Sequence, residues 1–502
     1  MRFLPVALLL VAVCPSLLAA QAADAPPTAG PAAIVRLDKS VADAPQAGRL
    51  YVFLSARGEE APIEGPNWFR PEPFFGLEVV DFVPGETKRI DDSADGFPDK
   101  FSKLPAGSYR VQAILDQKFD EQHPAAAAGN RYSSIVEWTH DPAALKNVEL
   151  TLDKKVEPRV FKEGKFAKEV APISGRLSKF FGREVRHRAA VVLPSSYYDQ
   201  PEKRYPVLFT VPGFSGTHYG AEAYGEKGIA AGEGEVEMIR VMLSGQCAWG
   251  HHVYADSATN GPRGESFITE LIPFLDAEYR TIPEPSARFL TGHSSGGWSS
   301  LWLQTTYPEV FGGVWSTSPD PVDFRDFQQV NLYAEPPLSL YTNEQGEKRP
   351  LARANGVVML WYADFAKMDD VLAQGGQLRS FEAVFSPLDD RGQPKRLWDR
   401  RTGKIDPQVA KTWEKYDINL NLKRNWATLG PKLAGKLHIV MGDRDTFYLE
   451  GAVFKLQETL KELGSDAQIT IIPNGDHGLP QPIQAKIRKE IAESFRKSHP
   501  GQ

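Results

Sequence analysis

The sequence predicts an α/β region on a mainly parallel sheet, preceded by a small all-β region. Three observations carry this. From about residue 185 onward, short apolar runs alternate with helical stretches, the pattern of a parallel sheet with crossover helices. Between about 34 and 155 there are instead short period-2 runs separated by turn residues. Thr291–Gly297 (TGHSSGG) then sets a serine on a glycine-flanked turn after one of the apolar runs.

The chain has 502 residues, room for two or three domains at about 150 residues each. Hydrophobic residues are 42% and charged residues 24%, which excludes a mainly disordered chain. Lys+Arg 58 against Asp+Glu 64 leaves a net charge of −6, so no bulk attraction for nucleic acid is expected.

At the N-terminus, Arg2 precedes an apolar run from Leu4 to Leu18, and Ala20-Gln21-Ala22 fits the small-x-small rule of a signal cleavage site. This predicts a cleaved signal peptide over residues 1–22 and a periplasmic or secreted protein. The run falls short of the ~20 residues of a membrane span, and no later stretch is long and apolar enough for one. Cys14 follows Val13, where a lipoprotein signal needs a small residue. The other cysteine is Cys247, so the exported form is expected to lack an internal disulfide and to rely on its core.

Residues 22–33 (AADAPPTAGPAA) read as a Pro/Ala linker. The all-β region follows. Its strand-like segments are Leu50–Leu54, Gly76–Phe82, the alternation Tyr109, Val111, Ala113, Leu115, and the alternation Val148, Leu150, Leu152. Short strands with frequent turns predict a β-sandwich of the immunoglobulin or fibronectin type III kind over residues 34–155. Asp91–Gly96 (DDSADG) resembles half of a calcium loop, but Ser102 stands where the twelfth position needs a carboxylate. A solvated turn is therefore expected there, and no metal.

The catalytic region is expected over residues 170–502. Its strand runs are 189–193, 206–211, 239–243, 287–291, 314–317, 437–441 and 469–472. Leu449, Val453, Leu456, Leu460 and Leu463 lie on one helix face closed by Gly464, and Ile483, Ile487, Ile491 and Phe495 form another stripe. Residues 320–430 interrupt the rhythm and are rich in charge and aromatics. A long cap insertion over the site is expected there, with most of its Trp and Tyr residues serving as core packing.

Gly292-His293-Ser294-Ser295-Gly296 is G-x-S-x-G between a strand run and a helix, the context of a nucleophile elbow and hence of an α/β-hydrolase fold. The turn is so tight that its flanks must be small. A serine hydroxyl needs a base to attack a carbonyl at neutral pH, and the base needs an orienting acid. In this fold their chain order is Ser, acid, His. Gly442-Asp443-Arg444-Asp445 follows the run 437–441, and Asn474-Gly475-Asp476-His477-Gly478 follows 469–472. Asp445 is the expected acid, with Asp443 as the alternative, and His477 the expected general base. His438 lies inside a strand run and is set aside. Ser295 N–H is one expected oxyanion donor, and Phe214 N–H, in Pro212-Gly213-Phe214-Ser215-Gly216, is the other.

The runs Ala190–Tyr197 (AVVLPSSY), Tyr205–Leu208 (YPVL), Pro212-Gly213 and Thr269–Asp276 (TELIPFLD) with Tyr279-Arg280 resemble the putative-esterase family of α/β hydrolases. That family includes esterase D, feruloyl and acetylxylan esterases, enterochelin esterase and mycolyltransferases. The resemblance covers about 185–320 and 430–495. It implies a serine esterase with Ser294, Asp445 and His477 as triad, Phe214 and Ser295 as oxyanion donors, and no cofactor. This chain departs from the family where His usually precedes the oxyanion glycine: Pro212 stands there.

The loop Ser244–Gly264 is expected to rim the pocket, with Trp249, His251 and His252 as substrate contacts. Adjacent histidines seldom converge on one ion, so no metal is expected. Cys247 lacks the elbow and reads as a small buried hydrophobe. The implied function is an exported esterase on acylated carbohydrate, such as feruloyl or acetyl esters. Siderophore-ester hydrolysis and acyl transfer are alternatives, and so, in another class, is a non-catalytic binding protein on a hydrolase scaffold. A prolyl-oligopeptidase-like enzyme fits poorly, because the N-terminal region is too short for a propeller.

Overall fold

The computed structural model describes residues 30–501 except 59, 118–120 and 145; the signal-peptide reading of residues 1–22 lies outside the described residues. Nine strands between Ala33 and Lys155 form one hydrogen-bonded sheet that folds over a core including Val35, Leu50, Val52, Phe75, Val111 and Leu150. Most of its pairings are antiparallel, but Ala33–Leu37 pairs parallel with Val148–Lys155. In the strand Gln46–Ser55, Leu50, Val52 and Leu54 point into this core. Tyr51 and Phe53 point the other way and join Phe74, Phe97 and Ile114 in the core of the catalytic region. Both faces are covered, so the run LYVFL carries no polar residue at alternate positions.

The DDSADG segment is a turn held by its own side chains. Asp91 accepts from Ser93 N–H and Oγ at 3.0 and 2.8 Å and pairs with Arg89 at 2.8 Å. Ser102 donates to Asp92 at 2.6 Å.

The catalytic sheet has eight strands: β1 (Ala167–Val170), β2 (Ala189–Val192), β3 (Val207–Val211), β4 (Ile239–Leu243), β5 (Arg288–His293), β6 (Gly313–Thr317), β7 (Leu437–Gly442) and β8 (Gln468–Ile472). Their order is β1-β2-β4-β3-β5-β6-β7-β8. The pairs β1–β2 and β2–β4 are antiparallel and the rest are parallel. The sheet interior is apolar on both faces: β2 and β6 are buried throughout. In such a sheet ligands bind beyond the carboxyl ends of the parallel strands.

Between β6 and β7 the chain makes the hairpin Pro350–Ala354/Val357–Trp361 and helices at Tyr362–Leu372, Gln377–Phe385, Pro407–Trp413 and Ile418–Leu433. Trp413 is fully buried in this insertion, among Phe324, Phe327 and Phe385. The insertion is bolted to the N-terminal sheet. The buried Arg49 donates to Val371 O at 3.0 and 2.7 Å while pairing with Glu78 and Asp95, and Tyr51 Oη donates to Leu372 O at 2.7 Å. Among the described residues no helix is long and apolar enough to cross a membrane.

Candidate active site

Ser294 sits between β5 and the helix Ser295–Thr306 at φ 59°, ψ −125°. A non-glycine residue holds such a conformation only where its surroundings over-determine it. Here the close approach of strand and helix does so. A Cβ on Gly292 would lie 2.0 Å from Gly296 O, and one on Gly296 would lie 2.1 Å from Val211 O. Ser294 N–H donates to Thr317 O at 3.0 Å, and Ser294 O accepts from Trp298 and Asp320 N–H at 3.0 and 3.2 Å.

His477, after β8, directs Nδ1 at Asp445 Oδ2, 2.7 Å away. Asp445 is fully buried after β7, and its other oxygen accepts from Phe447 N–H at 2.8 Å. Asp443 makes no bond to the imidazole; its Oδ1 is buried without a hydrogen-bond partner. The insertion braces the acid loop. Arg353, in the hairpin, donates its Nε to Asp445 O at 3.0 Å and its N–H to Thr446 O at 2.8 Å. Burial alone would lower the imidazolium pKa of His477, but the Asp445 carboxylate outweighs it, and the net shift is upward from 6.5.

Ser294 and His477 face one cavity of about 370 Å³, together with Gly213, Phe214 and Ser215 of the loop after β3. Among the described residues no hydrogen bond joins Ser294 Oγ to the His477 ring. Such bonds commonly tighten only with substrate in place. A Cβ on Gly213 would stand 3.5 Å from Ser294 Cβ, so a side chain there would crowd Ser294.

Pro212 stands at the head of this loop, and His251 braces it from elsewhere. Val253 N–H donates to His251 Nδ1 at 2.9 Å, which leaves the proton on Nε2 to be donated to Pro212 O at 3.0 Å. Burial pushes His251 down to about 4, so it stays neutral and keeps this tautomer. The structure does not bring the three expected substrate contacts into the cavity. His251 lies behind the loop Pro212–Gly216. His252 is buried against Tyr254, its Nδ1 accepting Tyr254 N–H at 3.2 Å. Trp249 lies under the Arg379 guanidinium, 5.1 Å from its ring centre.

The remaining wall comes from residues that sequence reasoning missed. Asp320 is a second buried carboxylate; its Oδ2 accepts from Ser295 Oγ at 2.6 Å. Burial pushes it up to about 6, against the pull of the Ser295 and Ser294 hydroxyls and of His477. Its place three residues past the carboxyl end of β6 is a usable signal. The His293 ring lies 4.7 Å from the His477 ring, tilted 51° to it; burial and that neighbour push it down to about 4. It therefore adds no positive charge beside His477. Phe365, Leu378, Phe381 and Leu351 come from the insertion, Phe447 from the acid loop, and Trp68 from the N-terminal sheet. No periodicity or motif marks Trp68.

Among solved structures, the chain is similar to a ferulic acid esterase (16% identity, 66% of this chain and 100% of that one, TM-score 0.40). It is also similar to a ferulic acid esterase of Anaeromyces mucronatus solved with ferulic acid (14% identity, 67% of this chain and 93% of that one, TM-score 0.35). A third is the S-formylglutathione hydrolase of Agrobacterium tumefaciens (14% identity, 68% and 96% covered, TM-score 0.36). The family model described as Putative esterase matches residues 178–480, more than half of the chain and the whole stretch from the helix after β1 to the loop carrying His477. With that match added to its hydrolase sheet, the chain belongs to the Putative esterase family and is a serine ester hydrolase of the α/β-hydrolase fold.

Proposed function

We propose that Ser294, His477 and Asp445 form the catalytic triad and that the substrate is an ester with an aromatic acyl group, of the feruloyl kind. The observation that carries the triad is the 2.7 Å bond from the His477 imidazole to a fully buried Asp445, facing the same cavity as a serine held on a strained elbow. Ser294 Oγ adds to the ester carbonyl as His477 Nε2 takes its proton. Asp445 accepts the Nδ1–H bond and stabilises the imidazolium. The N–H groups of Phe214 and Ser295 receive the oxyanion. The tetrahedral adduct collapses to an acyl-enzyme as His477 returns the proton to the leaving alcohol oxygen. Water then repeats the sequence and frees the acid.

The acyl reading rests on the cavity wall. Trp68, Phe214, Phe365, Phe381 and Phe447 surround the space, with Leu351, Leu378 and Leu449 between them and no Lys or Arg among the lining residues. Such a wall suits a flat uncharged ring and gives an acetyl group little to touch. A sugar alcohol on the leaving side follows the family resemblance, and export follows the signal-like run at residues 1–22. Ser294→Ala is expected to lower kcat on methyl ferulate by about 10⁴-fold or more while the protein stays folded. A folded variant at wild-type rate would overturn the triad. A wild type that turns over phenyl acetate but not methyl ferulate would overturn the acyl reading alone.

A further inference from the structure

We propose that Trp68, and through it the N-terminal sheet, is the specificity-determining wall for the acyl group; this rests on the ester-hydrolase reading above. The N-terminal region would then be part of the active site.

Trp68 lies on the excursion between the strands Gln46–Ser55 and Phe74–Phe82. That excursion is anchored at both sides of the indole. Pro62 and Ile63 are buried before it, and Asn67 Oδ1 accepts from Phe69 and Arg70 N–H, both at 3.0 Å. The indole is only partly buried and meets three rings from three separate parts of the catalytic region. These are Phe214 of the oxyanion loop (centroids 5.5 Å apart), Phe365 of the insertion (5.0 Å, 86°) and Phe447 of the acid loop (6.4 Å, 89°). Edge-to-face contacts of this kind hold ring orientation as well as area. The seam behind it is fixed by Arg49 and Tyr51 on the carbonyls of Val371 and Leu372. The wall is therefore presented by a braced scaffold.

The geometry also points to the side of the ester that Trp68 serves. The leaving alcohol must lie by His477, which protonates it. Phe447 stands against the His477 ring at 5.0 Å and against Trp68 at 6.4 Å, and among the described residues no ring contact joins Trp68 to His477 directly. Trp68 instead touches Phe214, whose N–H is assigned to the carbonyl oxygen. The group it contacts is therefore the one that stays on the carbonyl, the acyl part.

The test compares the full-length wild type, Trp68→Ala, Trp68→Leu and Trp68→Phe on three esters, with acid release followed at constant pH. The esters are methyl ferulate (aromatic acyl), phenyl acetate (aromatic alcohol) and ethyl acetate (neither). The inference expects kcat/KM on methyl ferulate to fall by about 10- to 100-fold in the Ala and Leu variants and to return in part in the Phe variant. The two acetates should change less than about 3-fold in all variants. An unchanged ratio of ferulate to acetate rates, or an equal fall on all three esters, overturns the role of Trp68 while leaving the triad untouched. A selective fall on phenyl acetate would place Trp68 on the alcohol side and also overturn it. A wild type inactive on all three esters would overturn the ester-hydrolase reading first.

Discussion

At the scale of single residues, two carboxylates flank one cavity and their surroundings part their roles. Asp445 has the imidazole and a backbone N–H as partners and acts on His477 through a short bond. Asp320 has the Ser295 hydroxyl and the Asp320 backbone tied to Ser294 O, and burial keeps its pKa near 6. As the proposed base, His477 must be neutral to accept the serine proton, so activity is expected to be lost as pH falls through its pKa. That pKa is raised, which sets the acid limb of kcat/KM above 6.5. Asp445→Asn removes the raising charge and leaves burial, which lowers. The limb should then move to lower pH while kcat drops by about 10³- to 10⁴-fold, as read from pH–rate profiles of the two proteins. A limb that stays in place would mean that Asp445 does not set the base. The positions that meet at the candidate site, Ser294, Asp445 and His477, were legible from the sequence because an elbow and two strand-end loops are local signals with a known order. His251 was legible as a residue of interest but not in its role. Its partner, Pro212 O, is 39 positions away and appears only when β3 and the following loop meet.

At the scale of elements, the seam between the N-terminal sheet and the insertion decides whether the wall of the cavity is firm. Gly76 in the strand Phe74–Phe82 lies directly beneath Arg49; a Cβ there would stand 2.7 Å from its Nη2. The guanidinium cannot simply swing aside, because it holds Val371 O and two carboxylates. Gly76→Ala is therefore expected to cost about 1–3 kcal/mol, read as a lower urea midpoint at unchanged slope. A midpoint equal to wild type would show that the seam yields. The strand runs of the catalytic sheet were visible as apolar stretches, with one exception. β1 has only four residues, Ala-Lys-Glu-Val, at the antiparallel edge, too short and too polar for a periodic signal.

At the scale of the whole molecule, the two sheets share a core. Tyr51, Phe53, Phe74 and Phe97 belong to the same buried cluster as Phe209, Leu290 and Val314 of the catalytic sheet. Separating the two regions would expose that surface, so the described chain should unfold in one calorimetric transition with matching calorimetric and van't Hoff enthalpies. Two resolved transitions would contradict a shared core. From the amino-acid order alone come the hydrolase sheet, the long insertion between β6 and β7, the serine elbow and the candidate acid and base, because strand period, glycine turns and strand-end loops are set by neighbours in the chain. The cavity wall, the bracing of the oxyanion loop by His251 and the entry of Trp68 into the site came only with the fold. They depend on side chains that are hundreds of residues apart in some cases, and packing between distant segments leaves no period or motif in the sequence.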